Sequence, residues 1–515
     1  MIKKLLILVI LFLASIPAFA QSVDTAWVRR YDNSDDQALA IAADNSGNVY
    51  VTGDTYYKET SYDYATIKYY PNGDTAWIRT YDGPANDFDF VWSVAADACG
   101  NVYVTGQSFG TGTGFDYATV KYYPNGDTAW VRRYNGPGNS EDVAYDIAVD
   151  GSNNVYVTGH SHGGGTKRDY ATIKYDPNGD TVWVRRYNEP ANEDDFARAI
   201  AVDGSGNVYV TGWSWSSVTQ SDYLTLRYYP NGDTAWVRRY NGPESDHDLA
   251  YAVALDSSGN VYVTGVIEYS YGYGTTDDYG TIKYFPNGDT AWVRRYDGSA
   301  NSRDEPSAIT VDGFDNVYVT GNSLGSGTYC DYTTIKYAPN GDTIWVRIYN
   351  GPGNSDDVAC DITVDDSNNV YVTGYSFESG TGYDYATIKY YPDGDTAWVR
   401  RYNDPVNEDD YALAIVVNDS NNVYVTGASI GNGANYDFAT TKYVEFLCGD
   451  VNTDGLIDLD DVVYLMNYLF RDGPPPVPIL QAGDVNLDGV INSADVVFLI
   501  NYLFKGGPPP CSQEK

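Results

Sequence analysis

Histidine and methionine are nearly missing from this chain, with three and two residues among 515. A histidine-based metal enzyme is poorly supplied by such a sequence. Basic residues are also scarce, 32 Lys and Arg against 70 Asp and Glu, for a formal net charge of −38. That imbalance argues against electrostatic binding to nucleic acid or to an anionic membrane. Glycine and proline, 51 and 22 residues, are too few for a collagen, and aromatics at 15% argue against disorder. No P-loop or His-Glu-x-x-His motif occurs. The length leaves room for about two to four domains and a sizeable core.

The only long apolar run opens the chain. Residues 1–20 read MIKKLLILVILFLASIPAFA, with Lys3 and Lys4 ahead of an apolar stretch from Leu5 to Leu13 and a small-x-small site at Ala18-Phe19-Ala20. This pattern predicts a secretory signal peptide, and a mature, soluble, extracellular chain starting near Gln21. The stretch is short for a bilayer span, and no cysteine at the cleavage point indicates a lipid anchor.

The body repeats one motif. Trp27, Trp77, Trp130, Trp183, Trp236, Trp292, Trp345 and Trp398 recur at spacings of 50, 53, 53, 53, 56, 53 and 53. The string VYVTG recurs eight times, starting at Val49, Val102, Val155, Val208, Val261, Val317, Val370 and Val423, and a DYATIKY-like string keeps step with it from Asp63 to Asp437. Each unit holds four strand candidates rich in Val, Ile, Thr and Tyr; in the second they are Val91–Ala96, Asn101–Gly106, Tyr117–Tyr123 and Thr128–Tyr134, named A to D. The A-to-B turn carries only Gly, Asn or Asp at its fourth position, residues that tolerate positive φ. The C-to-D turn reads PNGD or PDGD, another tight-turn signal. Four strands per unit, eight times over, predict an all-β, eight-bladed propeller spanning 24–443.

The ends of the array support ring closure. The chain opens with an orphan D strand at Thr25–Tyr31 and closes with a C strand at Asp437–Tyr443 that lacks a D partner. The N-terminal strand is therefore expected to complete the last blade and hide both edges. The IAVD…GNVYVTG core of each unit resembles the bacterial β-propeller repeat family, a resemblance that implies the fold and leaves function open.

Two connections, D-to-A and B-to-C, are long and variable, and in a propeller they share one face. Trp213 and Trp215 are expected in the fourth B-to-C loop, and Tyr269, Tyr271 and Tyr273 in the fifth. They are candidates for stacking on sugar rings, against the plainer reading that long loops pack on themselves. An aspartate opens every A strand: Asp36, Asp89, Asp142, Asp195, Asp248, Asp304, Asp357 and Asp410. These carboxylates either ring the channel mouth or accept hydrogen bonds that tie blades together, and their presence in every unit favours the second. The repeated Asp63, Asp74, Lys68 and Arg29 positions are expected to pair on blade surfaces. His160 and His162 form a possible metal pair without a third ligand, better read as a surface loop. No catalytic residues stand out. Paired carboxylates for glycoside hydrolysis are present only in the sense that acids are abundant in these loops.

Composition changes after Phe446, leaving 444–449 as a linker. Residues 450–461 read DVNTDGLIDLDD and 484–495 read DVNLDGVINSAD, an offset of 34. Calcium loops need oxygens at positions 1, 3, 5, 9 and 12, a carbonyl at 7 and glycine at 6. The first loop supplies Asp450, Asn452, Asp454, the Leu456 carbonyl, Asp458 and Asp461 around Gly455. The second supplies Asp484, Asn486, Asp488, the Val490 carbonyl, Asn492 and Asp495 around Gly489. Two calcium ions are expected. Each loop feeds a helix with an apolar stripe: Val462, Val463, Leu465, Met466, Leu469 and Phe470, then Val496, Val497, Leu499, Ile500, Leu503 and Phe504. Each helix stops at Gly followed by three prolines.

Loop–helix without an entering helix, Asp at position 12 and tandem duplication resemble the type I dockerin, over 448 to about 511. That resemblance implies a small α calcium-binding domain over 450–511 that docks onto a cohesin-type partner. It places partner contacts at loop positions 10 and 11, here Leu459, Asp460, Ser493 and Ala494, which depart from the usual Ser-Thr pair. Cys448 and Cys511 bracket the module and are candidates for a disulfide, while the odd total of five cysteines leaves at least one thiol over. The leading reading is a secreted, non-catalytic propeller that binds or displays a ligand, a glycan among the candidates, and is tethered through its tail. A polysaccharide-acting hydrolase and a structural spacer are the alternatives.

Overall fold

The computed structural model describes residues 22–243, 247–269, 277–300, 302–325, 329–431 and 435–511, without the side chains of residues 268 and 269. The chain divides into two compact units, Trp27–Lys442 and one that contains Tyr443–Lys515. The larger unit is an eight-bladed propeller of four-stranded sheets. Blade 2 is typical, with strands A to D at Asp89–Ala96, Val102–Gly110, Gly114–Tyr122 and Thr128–Tyr134, hydrogen-bonded in that order. In the last blade the order is Ser22–Tyr31, Tyr436–Phe446, Val423–Ile430, Asp410–Val417, so the N-terminal strand supplies D. Its C strand continues to Phe446, past the expected end at Tyr443.

The middle strands explain the composition. VYVTG is buried along its whole length in strand B, as is DYATVKY in strand C, because both faces of each sheet lie against neighbouring blades. Strand A carries a bulge, between Val91 and Ser93 in blade 2, that turns its backbone toward strand B. The glycine of VYVTG answers that approach: a Cβ on Gly106 would run into the Phe90 carbonyl and the Tyr64 hydroxyl of the preceding blade. The A-to-B turn is organised by its first aspartate. Asp97 accepts from the Cys99 and Asn101 amides, the Asn101 side chain and the Tyr103 hydroxyl, at 2.7–2.9 Å. Its fourth residue has positive φ, +78° at Gly100 and +62° at Asn153, which accounts for the Gly/Asn/Asp restriction.

Cores lie between blades rather than within them. Trp130, from strand D of blade 2, packs with Tyr103 and Tyr117 of its own blade and with Ile147, Val155, Val157, Ile173 and Tyr175 of blade 3. Its indole donates to the Pro177 carbonyl of the next C-to-D turn at 3.3 Å, and Arg132 Nε donates to the Gly179 carbonyl at 2.5 Å. Lys121 reaches the same Pro177 oxygen at 3.0 Å while lying over the Tyr103 ring. The repeated cations are thus joints between blades, and the expected surface pairing is corrected for the Lys68 and Arg29 positions. It is corrected for the Asp63 position too: Asp116 and its counterparts are buried, most of them against an arginine of strand D.

In the second unit, helix α1 (Leu459–Phe470) and helix α2 (Ser493–Lys505) flank a short 3-10 turn at Leu480–Gly483. Val451, Val462, Leu465, Val485, Val496 and Leu499 form its core. Cys448 and Cys511 are disulfide-bonded, with Cα atoms 6.0 Å apart.

Candidate functional site

On the propeller, strands B and C run several residues beyond VYVTG, so much of the expected B-to-C loop sequence is strand. Trp213 and Trp215 stand on strand B of blade 4 (Val208–Ser216), not in a loop, and His160 ends up near the close of strand B of blade 3 (Val155–His162). The side chain of Tyr269, and all of Tyr271 and Tyr273, lie outside the described residues. Trp213 stacks on Phe196 at 5.2 Å and meets Tyr251 edge-on at 6.3 Å. Arg198 lies over Tyr145 at 4.4 Å and over Trp213 at 5.8 Å, and Tyr145 continues to Trp92 at 5.8 Å. The result is an aromatic belt across blades 2–5, with the guanidinium groups of Arg198 and Arg168 laid on its rings, ending at Trp92, which is 41% exposed. Trp92, Tyr145, Arg198 and Tyr251 all sit at the A-strand bulge, a position the repeat does not hold constant, and that was the signal available in sequence.

His160 is buried inside this belt, its ring 5.5 Å from Tyr145 and 4.8 Å from Phe196, and neither ring nitrogen has a hydrogen-bond partner. Burial, with Arg168 and Arg198 nearby, pushes its pKa down to about 3, so the imidazole is neutral. The surface-loop reading of His160 is corrected accordingly. The repeated A-strand aspartates are buried as well. Asp142 accepts from the Gly136 amide at 2.6 Å and the His162 amide at 3.0 Å, and Asp89 from the Phe109 amide at 3.2 Å. They cap the D-to-A connections instead of lining an open channel.

The two tail loops share one hydrogen-bond pattern. Asp450 accepts from the Asp454 and Gly455 amides at 3.2 and 2.9 Å, and Asp484 accepts from the Asp488 and Gly489 amides at 3.1 and 2.9 Å. Asn452 and Asn486 accept from the same Asp454 and Asp488 amides, both at 2.9 Å. Gly455 and Gly489 have φ of +84° and +83° with no atom near a would-be Cβ, so backbone conformation, not space, selects glycine. Asp458 and Asn492 cap the helices that follow, each in a reciprocal capping box with Asp461 or Asp495. Those last two carboxylates are fully buried. Burial, with Asp450 and Asp454 nearby, pushes Asp461 up to about 6, and Asp495 is raised for the same reasons. Each loop thus gathers only oxygen donors and concentrates negative charge at a buried carboxylate, the donor chemistry of a hard divalent cation.

Comparison with known proteins agrees with this geometry. The description "Dockerin type I domain" matches residues 448–504. "Beta-propeller repeat" matches residues 129–165, 182–218, 292–327 and 344–377. The chain is a β-propeller repeat protein with a C-terminal type I dockerin domain. A WD repeat-containing protein of Acanthamoeba polyphaga mimivirus is 22% identical over 76% of this chain, which spans about a third, 33%, of that protein's length. Among solved structures, a protein from Dyadobacter fermentans aligns with 82% of this chain and 98% of its own at 10% identity and a TM-score of 0.39. A glucose dehydrogenase aligns with 58% of this chain and 95% of its own at 8% identity and a TM-score of 0.31.

Type I dockerin domains bind calcium, and a dockerin implies a cohesin partner. Leu459, Asp460, Ser493 and Ala494 are all exposed in the first turns of the dockerin helices. The apolar stripe of α1 splits in two. Val462 and Leu465 enter the core, while Val463, Met466 and Phe470 are exposed and continue the row begun by Leu459. In α2, Val497 and Phe504 are exposed in the corresponding places. Six apolar positions in one short helix are more than one face can bury, a clue to this second row that was legible in sequence. Among the described residues, no helix is long and apolar enough to cross a membrane.

Proposed function

We propose that this chain is a secreted, non-catalytic display protein: the dockerin, folded on two calcium ions, tethers it to a cohesin-type partner, and the propeller presents a binding face. The observation that carries the reading is the pair of superimposable loop patterns, each feeding a helix whose outer row is apolar and exposed. The first ion is held by Asp450, Asn452, Asp454, the Leu456 carbonyl, Asp458 and Asp461, and the second by Asp484, Asn486, Asp488, the Val490 carbonyl, Asn492 and Asp495. The rows Leu459–Val463–Met466–Phe470 and Ser493–Val497–Phe504, with Asp460 and Ala494, form the partner surface. The aromatic belt of blades 2–5 supports a glycan ligand, because an exposed ring face accepts the C–H face of a sugar; Trp92, 41% exposed, carries that part.

The test passes the secreted proteins of the source organism over the immobilised full chain, with calcium or with chelator. Recovery of a cohesin-bearing scaffold only in calcium supports the tether, and no recovery by bait shown to be folded overturns it. A glycan array decides the propeller's part: binding that Trp92→Ala weakens supports the display reading, and a blank array leaves the propeller as a spacer.

A further inference from the structure

Six blades carry an arginine at one place on strand D: Arg30, Arg133, Arg186, Arg239, Arg295 and Arg401. Each reaches a buried aspartate on strand C of its own blade. Arg30–Asp437 and Arg186–Asp169 are 2.6 Å apart, Arg401–Asp384 2.7 Å and Arg133–Asp116 2.8 Å, and Arg239 and Arg295 pair with Asp222 and Asp278 in the same way. A carboxylate taken out of water is costly unless a cation accompanies it. In these six blades the guanidinium offsets that cost.

Blades 1 and 6 break the pattern, with Thr80 and Ile348 at the arginine position, and of the two only blade 1 forms an acid triad among the described residues. In blade 1 strand D carries Thr80 there, yet Asp63 remains 4% exposed. Thr60 donates to Asp63 Oδ2 at 2.8 Å, and Asp63 Oδ1 is buried with no hydrogen-bond partner, as is the same oxygen of Asp116, Asp169, Asp222 and Asp384; what sets Asp63 apart from these four is that no arginine stands on its other oxygen. Asp82, in the following connection, and Asp89, opening the next strand A, bring ligand oxygens within 4.8 Å of one another and of Asp63. Asp82 is itself a departure, since five blades place asparagine there: Asn135, Asn188, Asn241, Asn350 and Asn403. Blade 1 has lost a cation and gained an anion in the same place.

Among the described residues three such carboxylate triads occur, all in the propeller. In two of them, Asp32/Asp36/Asp437 and Asp278/Asp297/Asp304, the strand C aspartate is held by Arg30 or Arg295. The Asp63 triad has no such arginine. Arg133, whose field reaches Asp89, is bound to Asp116. Burial and the neighbouring acids push Asp63 up to about 7 and Asp89 to about 6, the direction of a site short of positive charge.

We propose that Asp63, Asp82 and Asp89 hold one hard divalent cation, calcium being the best match, in the place that an arginine occupies in six other blades. The donors are all carboxylate oxygens. Calcium–oxygen bonds of about 2.3–2.6 Å set ligand oxygens no more than about 5 Å apart, the spread seen here. The cation would join blade 1 to blade 2 from outside the dockerin, a site distinct from the tail loops.

The experiment is calcium-45 equilibrium dialysis of the full chain after metal stripping, comparing wild type with Thr80→Arg and Asp82→Asn. Both substitutions install what other blades already carry, and tail ions are common to all three proteins and drop out of the comparison. The proposal expects T80R to bind one calcium fewer per chain than wild type without melting lower, and D82N to weaken one site. Equal stoichiometry in wild type and folded T80R overturns it and assigns Asp63 a shared proton instead. Should T80R fold poorly, an unchanged D82N isotherm overturns it equally.

Discussion

Trp27 and Lys442 stand near opposite ends of the propeller sequence and donate to the same carbonyl oxygen, that of Pro71, at 3.2 and 2.9 Å. The arrangement repeats around the ring. Trp77 donates to Pro124 at 3.1 Å and Lys68 at 3.2 Å, but there both donors come from one continuous blade. In the last blade the lysine comes from the C-terminal strand and the tryptophan from the N-terminal one. The Trp27 ring sits between Tyr69 and Tyr424, at 5.8 and 5.9 Å, as Trp77 sits between Tyr122 and Tyr50 at 5.8 and 6.2 Å. The closing blade therefore meets its neighbour through the same tryptophan and lysine joint as a continuous blade does.

That equivalence predicts the cost of breaking the seam. Trp27→Ala removes a ring 8% exposed and one donor to Pro71. It is expected to cost about 3–5 kcal/mol, the range for large core aromatics, and about as much as Trp130→Ala. Urea denaturation of both variants checks this. A far smaller loss for W27A would mean that the N-terminal strand is dispensable and the ring closes without it.

One contact at the seam is absent, and restoring it should help. In seven blades a strand C tyrosine donates its hydroxyl to a carbonyl of the next blade, as Tyr64 does to Ala118 at 3.3 Å and Tyr385 to Ala439 at 3.1 Å. The eighth blade has Phe438, fully buried at that place. Phe438→Tyr is expected to donate to the Ala65 carbonyl and stabilise the propeller by about 1 kcal/mol. A lower denaturation midpoint would mean that the seam leaves no room for the hydroxyl.

The fold was legible because its signals are local and repeated. Trp spacing, VYVTG and the Gly/Asn/Asp turn position each report a nearby backbone requirement, and the calcium loops do the same. The candidate face was less legible. Strand B of blade 1 continues to Tyr57, pairing with Ser61, but the residues beyond Gly53 differ from blade to blade and so read as loop. Lys121 looks like a surface charge in sequence; only the curvature of the ring brings the Pro177 carbonyl over it. His160 was misread because burial at that position depends on Phe196 and Tyr145, which belong to other strands.

His160 also gives a pH dependence. Its folded pKa is about 3 against an ordinary value of 6.5, so between these values the unfolded chain binds a proton that the folded chain does not. Stability from this group is complete above pH 6.5 and is lost as pH falls toward 3. The groups facing it are Arg168, Arg198, Tyr145 and His162, and both arginines oppose protonation throughout. His160→Phe is expected to flatten the acid limb of the melting profile relative to wild type, leaving values above neutrality little changed. Parallel acid limbs for the two proteins would show that the imidazole is accessible to protons in the folded state.

Calcium should be needed by the dockerin helices far more than by the propeller. In the first loop Asp450, Asp454, Asp458 and Asp461 bring four carboxylates to one short segment, and in the second Asp484, Asp488 and Asp495 bring three. Without a cation these charges repel, and Asp461 and Asp495, fully buried, gain only backbone amides in return. Binding and folding are coupled in such modules. Chelation is expected to remove the helical far-UV signal of α1 and α2 and leave the sheet signal, since the blade joints are made of indole, lysine and arginine donors on carbonyls. The extra carboxylate also predicts that the first loop fills at lower calcium than the second, because affinity rises with ligand charge. Asp461→Ala and Asp495→Ala should each remove one tail ion, the first abolishing the tighter step of the isotherm. A helical signal indifferent to chelator would sink the coupling, and loss of the weaker step in D461A would reverse the order of the two loops.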